Sequence, residues 1–148
     1  MNIAIVGATG NVGRKTLEVL EKKEISIENL YLVASPKSAG KKIKFQGKEI
    51  EVYNLENFDF SKVKIAFFAA GGKISEKFAE KAAKYCLVID NSSFFRMDPD
   101  VPLVVPQVNS DDLNNIKKNI IANPNCSTAQ LVIALKPLHD LYVIKRIV

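Results

Sequence analysis

Among the 148 residues, Cys126 stands in the setting richest in chemistry. It follows the breaker Asn123-Pro124-Asn125 and precedes Ser127-Thr128, where helical apolar spacing begins and runs to about Leu138. The unpaired N–H groups and the dipole at a helix amino terminus favour a thiolate. The same groups stabilise the oxyanion formed when a thiolate attacks a carbonyl, and Asn125 adds a side-chain donor beside it. On spacing alone a lone cysteine more often packs as a small hydrophobe, so both readings stand. Cys86, ahead of the apolar run Leu87-Val88-Ile89, reads as core packing. His139 is the only histidine and lies at the far end of the same helix, about 20 Å from Cys126 at the rise of an α-helix. Any general base for Cys126 is therefore expected outside this chain.

A second set of residues suits phosphate. Gly7-Ala8-Thr9-Gly10-Asn11-Val12-Gly13 follows the apolar run Asn2–Val6 and opens a helical pattern. Glycines at that spacing let the backbone approach a pyrophosphate, and the helix start behind them offers free N–H groups. The bland alternative is a tight strand-to-helix turn with no ligand, and the context favours a nucleotide. Ala34-Ser35-Pro36-Lys37-Ser38-Ala39-Gly40 ends the second apolar run, where an NAD-preferring site would carry Asp or Glu. Ser35, Lys37 and Ser38 supply two hydroxyls and a cation without a repelling carboxylate, which suits the 2′-phosphate of NADP. An ordinary surface loop is the other reading. Gly71-Gly72 closes the third apolar run and is expected to add Gly71 to the cofactor site. Arg96, in a polar loop after the fourth run, is placed to bind phosphate or carboxylate, although a surface salt bridge would explain it equally.

The elements that must hold these residues alternate strand and helix. Strands are expected over residues 2–6, 30–34, 64–69, 87–90 and 120–122, and residues 42–45 and 49–53 form a hairpin at the sheet edge. Val12, Thr16, Val19 and Leu20 give one helix its apolar face; Phe78, Ala82 and Tyr85 give another theirs. Pro137 is expected to kink or end the last helix. Residues 141–148 read as a strand just begun, which suggests a fragment of a longer protein. The order implies an α/β fold, a Rossmann-type doubly wound, mostly parallel sheet filling residues 1–148 as one domain. Composition agrees: 47% hydrophobic and 25% charged residues describe a globular chain, and a diffuse net charge of +5 gives little support to nucleic-acid binding. Two cysteines are too few for a disulfide framework, and no apolar run is long enough for a bilayer. A strand that starts at the first residues leaves no room for a signal peptide, so a cytoplasmic setting and no membrane partner are expected. No metal-ligand cluster stands out.

Taken together, the segments resemble the aspartate-semialdehyde dehydrogenase family. The matching stretches are Gly7–Gly13, Ala34–Gly40, Asp90-Asn91-Ser92-Ser93-Phe94-Phe95-Arg96, Asp100–Asn109 and Asn123–Thr128, in the family's order and spacing. The resemblance implies that Thr9, Gly10, Asn11 and Val12 cradle the NADP pyrophosphate and that Ser35, Lys37 and Ser38 hold its 2′-phosphate. Lys37 stands where the family commonly has Arg, which keeps the charge and loses the bidentate fork. Arg96 would bind the phosphate of the substrate, or free phosphate in the reverse direction. Cys126 would be the acyl-accepting nucleophile, with Asn125 beside it. The implied reaction reduces L-aspartyl 4-phosphate to the semialdehyde, a step toward lysine, methionine and threonine.

The resemblance also implies what lies elsewhere. Family members run to well over twice this length, and their catalytic His, a substrate-orienting Gln and the dimer-forming sheet lie beyond Val148. The fragment is expected to bind NADP weakly and turn over little. The full-length form is expected to be a homodimer or homotetramer whose partners are aspartyl phosphate and phosphate. Three rivals stay open: an N-acetyl-glutamyl-phosphate reductase-like enzyme, whose cysteine has a different context; a stand-alone NADP-binding module; and an extended reductase or epimerase. The last needs a Tyr-x-x-x-Lys pair, and none of the four tyrosines has Lys four residues on.

Overall fold

A computed structural model describes residues 1–23 and 25–148. In chain order the elements are β1 (Asn2–Val6), α1 (Asn11–Lys22), β2 (Asn29–Ala34), β3 (Lys42–Phe45), β4 (Lys48–Asn54), β5 (Ile65–Phe68), α2 (Gly72–Ala83), β6 (Leu87–Asp90), α3 (Pro106–Asn109), β7 (Ile120–Ala122) and α4 (Cys126–Tyr142). They form one seven-stranded sheet in the order β3-β4-β2-β1-β5-β6-β7. Every pairing is parallel except that of β3 with β4. The expected α/β doubly wound sheet is the observed one, with the hairpin at its edge. Gln46 (φ 47°) and Gly47 (φ 77°) make its two-residue turn, both central residues having the positive φ that matches strand twist.

Because side chains alternate across a strand, each strand feeds two cores. Ala4, Val6, Val33, Ala66, Phe68 and Val88 pack with Phe78, Ala79 and Ala82 of α2 on one face. Ile5, Leu32, Ala34 and Val52 pack with Leu17 and Leu20 of α1 on the other. Fully burying a side chain such as Phe68 or Leu32 contributes about 2 kcal/mol. The α1 face is only half covered: Ile65, Phe67, Leu87 and Ile89 remain part exposed where β5 and β6 lie beside α1.

Four expectations need correction. Of the expected face of α1, Leu20 is buried and Thr16 half-buried, but Val12 and Val19 are 46% and 45% exposed, and the buried stripe is Gly13, Leu17 and Leu20. Val12-Thr16-Val19 and Gly13-Leu17-Leu20 both have helical spacing and lie about 100° apart, so periodicity alone did not choose between them. Tyr85 is exposed, because α2 ends at Ala83 and the chain leaves the helical phase before reaching it. Pro137 does not end α4, which continues past it to Tyr142 and ends at Val143 in the left-handed conformation. One missing backbone donor, at a cost of about 3 kcal/mol, does not stop a helix that is bonded on both sides of the gap. Residues 143–148 form no strand, since no described strand lies beside them to complete a ladder.

Candidate active site

The first part of the site lies where β1 ends. Gly7 adopts φ +89°, and a Cβ there would sit 2.7 Å from the Ala69 carbonyl oxygen at the end of β5. At Gly13 a Cβ would come within 2.3 Å of the Gly7 oxygen, so α1 rests directly on the turn. Glycine is required at both positions by this close approach. Gly10 is the N-cap of α1, and no side chain caps its free N–H groups, which leaves them and the helix dipole to an anion.

Beside this turn is a cleft of about 340 Å³ lined by Gly7, Thr9, Gly10, Ala34, Ser35, Leu55 and the Ala69-Ala70 turn. Ser35 caps a short 3-10 turn, Pro36–Ser38, whose Ser38 N–H donates to the Ser35 carbonyl at 2.9 Å. Lys37 is exposed on that turn and Ser38 half-exposed. Gly71 takes φ +88° as N-cap of α2, with open space where a Cβ would be, so its conformation rather than room demands glycine. Asn11 and Val12 face away from this cleft, into the groove beside Cys126.

That groove, about 640 Å³, runs between α1 and the uncovered side of β5 and β6. Val12, Thr16 and Val19 form one wall, Phe67 and Ile89 another, and Asn91, Asn123 and Cys126 close its end. Cys126 is exposed at the first position of α4. Asn125 is the N-cap, its Oδ1 accepting the Ser127 N–H at 2.9 Å, and the Cys126 Sγ is 3.8 Å from the same oxygen. Asn125 thus spends its oxygen on the helix start. Cys86 is the opposite case: buried, its Sγ donates to the Ala82 carbonyl at 3.4 Å, and burial pushes the thiol up to about 11. His139 belongs to the last turn of α4, in a different groove with Val108, Val132 and Leu135.

Arg96 reaches the same edge of the sheet from the loop after β6. Its Nε donates to the Asn123 carbonyl at 3.0 Å and its Nη2 to the Asn91 carbonyl at 3.3 Å. Among the described residues no carboxylate pairs with it. The guanidinium is therefore held by two backbone carbonyls, with donors left over for an anion. Asn91 and Asn123 join through a side-chain hydrogen bond across β6 and β7. Sequence reasoning gave these two asparagines no role. Their only signal was position, each standing at the carboxyl end of a predicted core strand. No group of described His, Cys, Asp or Glu side chains could hold a metal ion.

This geometry can be compared with known proteins. A family model described as semialdehyde dehydrogenase, NAD binding domain, matches residues 2–116. Aspartate-semialdehyde dehydrogenase 2 of Vibrio cholerae is 52% identical over 99% of this chain, and the enzyme of Aquifex aeolicus 55% identical over 99%. Both matches cover 44% of the relative, so the chain spans less than half the length of the curated proteins it matches. A crystal structure of the Vibrio cholerae aspartate semialdehyde dehydrogenase II complexed with ASA superposes with a TM-score of 0.91, covering 94% of this chain and 46% of that one. The Candida albicans enzyme with NADP gives 0.75 at 29% identity, covering 95% of this chain and 47% of that one. The glycine turn, the sheet behind it and these matches together make the chain a member of the semialdehyde dehydrogenase family, of which it carries the NAD-binding domain.

Proposed function

We propose that this chain is the cofactor-binding, cysteine-bearing part of an NADP-dependent aspartate-semialdehyde dehydrogenase that acts in lysine, methionine and threonine synthesis. The observation that carries the reading is the sharing of one groove by the exposed Cys126 thiol with Asn91 and Asn123, whose carbonyls hold Arg96. An acyl phosphate needs a nucleophile and a phosphate-binding cation close together, and this edge of the sheet offers both.

The residues present fit a dinucleotide phosphate. Gly7 and Gly13 lack the Cβ atoms that would fill the turn, and the start of α1 is uncapped. Thr9, Gly10 and Ser35 line the adjoining cleft, with Lys37 and Ser38 on the turn that follows. NADPH, when bound, supplies the hydride that reduces an acyl group. Asn11 and Val12 begin α1 where its free N–H groups face a pyrophosphate, and Gly71 opens α2 at the neighbouring strand end.

The chemistry of this chain's own groups follows. The Cys126 sulfur attacks the carbonyl of L-aspartyl 4-phosphate; a C–S bond forms, and the C–O bond to phosphate breaks with its electron pair leaving on phosphate. Arg96 stabilises the charge gathering on the departing phosphate, which leaves as the dianion by taking up the proton that the Cys126 thiol gives up, and the N–H groups at the start of α4 stabilise the intermediate oxyanion. After reduction the C–S bond breaks with its electron pair on sulfur, releasing the aldehyde and the Cys126 thiolate, which takes up a proton from water to restore the thiol. Asn125 keeps the first turn of α4 formed around the thiol throughout. The proton-transfer residue and the clamp on the amino acid belong to the rest of the full-length protein, which we take to be a cytoplasmic homodimer or homotetramer.

Titration of the purified chain with NADPH and NADH, followed by nicotinamide fluorescence, tests the cofactor half of this reading. Saturable NADPH binding stronger than NADH binding, weakened about tenfold or more by Lys37→Glu, is expected. Equal affinity for both, untouched by Lys37→Glu, would remove the Ser35–Ser38 turn from the site.

A further inference from the structure

Asp90, the last residue of β6, is wholly buried, and no described lysine or arginine pairs with it. Its carboxyl oxygens are met by hydroxyl and amide donors instead. Oδ1 accepts the Ser75 hydroxyl at 2.6 Å and the Ser92 N–H at 3.1 Å, and Oδ2 accepts the Ser92 hydroxyl at 2.7 Å. The Ser92 oxygen in turn accepts the Phe94 N–H at 3.1 Å. Ser75 and Ser92 are themselves buried, and no buried side-chain polar atom among the described residues lacks a partner.

For stability alone, an apolar residue would serve as well in such a place, since a buried polar cluster at best offsets its own desolvation. What a fully satisfied cluster adds is a single conformation for the segments it joins. The two segments joined here both belong to the site. Ser75 lies in the first turn of α2, directly behind the Ala69-Ala70-Gly71 turn beside the dinucleotide cleft. Ser92 opens the loop that carries Arg96, and Ser93 and Phe94 of that loop lie across the start of α2, 3.9 Å from where a Gly72 Cβ would be. The Asp90 backbone completes the frame: its carbonyl accepts the Asn123 N–H at 2.8 Å, and Asn123 holds Arg96.

We propose that Asp90, through Ser92 and Ser75, is the positioning residue that sets Arg96 for phosphate and ties that arm to the cofactor turn. The inference rests on the reading of Arg96 as the phosphate-binding residue. Asp90 touches no substrate. It fixes the loop whose Asn91 carbonyl and whose own span aim the guanidinium, so its loss loosens phosphate binding more than it slows the acyl chemistry at Cys126.

The test uses the full-length enzyme, with inorganic phosphate as the varied substrate in the direction that consumes semialdehyde, and direct phosphate binding measured alongside. Ser92→Ala keeps Asp90 and removes one hydroxyl. It is expected to raise the KM for phosphate about fivefold with kcat within about twofold, while Ser92→Thr, which keeps the hydroxyl, restores it. Asp90→Asn is expected to raise the same KM about tenfold or more; if it does not fold, the Ser92 pair decides alone. A purely structural role would lower the melting temperature and leave the phosphate KM unchanged in both folded variants, and that result overturns the proposal. A wild-type enzyme that turns over without Arg96→Ala altering its phosphate affinity overturns the proposal together with the reading of Arg96, leaving Cys126 unaffected.

Discussion

At the scale of the residue, the two cysteines separate by environment. Cys126 is exposed at a helix start, whereas Cys86 is 3% exposed, and its thiol is raised to about 11 by burial. A thiol reagent near pH 8 reacts with thiolate that it can reach. One equivalent of alkylation, mapped to Cys126 by mass spectrometry and absent from Cys86 until the chain is unfolded, is expected. Reaction of both at similar rates would contradict the burial of Cys86. Arg96 shows a different lesson: an arginine becomes informative once its partners are known. Two backbone carbonyls, and no carboxylate among the described residues, leave donors of the fork for an anion, where a surface ion pair would have used it up.

At the scale of the element, the glycine turn makes a demand that can be measured. A methyl at Gly13 would meet the Gly7 oxygen and the Ala8 Cα, both backbone atoms, at 2.3 and 2.8 Å. Gly13→Ala is therefore expected to lower stability by about 1–3 kcal/mol in denaturant melts despite its better helix propensity. A neutral or stabilising result would mean that α1 does not rest on the turn. Strands were legible because β1, β2, β5 and β6 are short apolar runs closed by glycine or polar turns. The glycine turn was legible for the same reason. The buried stripe of α1 was legible only at Leu20, because Val12-Thr16-Val19 and Gly13-Leu17-Leu20 fit one period equally well and only tertiary packing chooses. The role of Asn91 and Asn123, whose contacts join segments more than thirty residues apart, was not legible. Pro137 does not end α4 because a proline's local cost is outweighed when the helix around it is otherwise bonded.

At the scale of the whole molecule, the unequal covering of the sheet stands out. Parallel sheets are normally buried on both faces, yet β5 and β6 are open on the α1 side. Helix α4 has no buried residue, although Leu131, Ile133, Leu138, Leu141 and Tyr142 are all apolar and exposed. A helix so apolar is ordinarily covered. The chain spans 44% of the Vibrio cholerae relative, and in the proposed full-length protein the remaining chain supplies that cover. By itself the chain is expected to associate as its concentration rises, and Leu131→Lys with Leu138→Lys to reduce that association, as read by sedimentation velocity. A monodisperse monomer at every concentration would show that these surfaces are tolerated in water.

Whether Cys126 carries the acyl group is tested most directly with the full-length enzyme and its Cys126→Ser variant. Each would be assayed for phosphate-dependent oxidation of aspartate semialdehyde with NADP, and each titrated with NADPH. A loss of turnover of about a thousandfold or more with NADPH affinity unchanged is expected, because the variant removes the nucleophile and leaves the glycine turn intact. Turnover within about tenfold of the wild type would show that the acyl group is not carried on Cys126, and would leave this chain a nucleotide-binding domain alone.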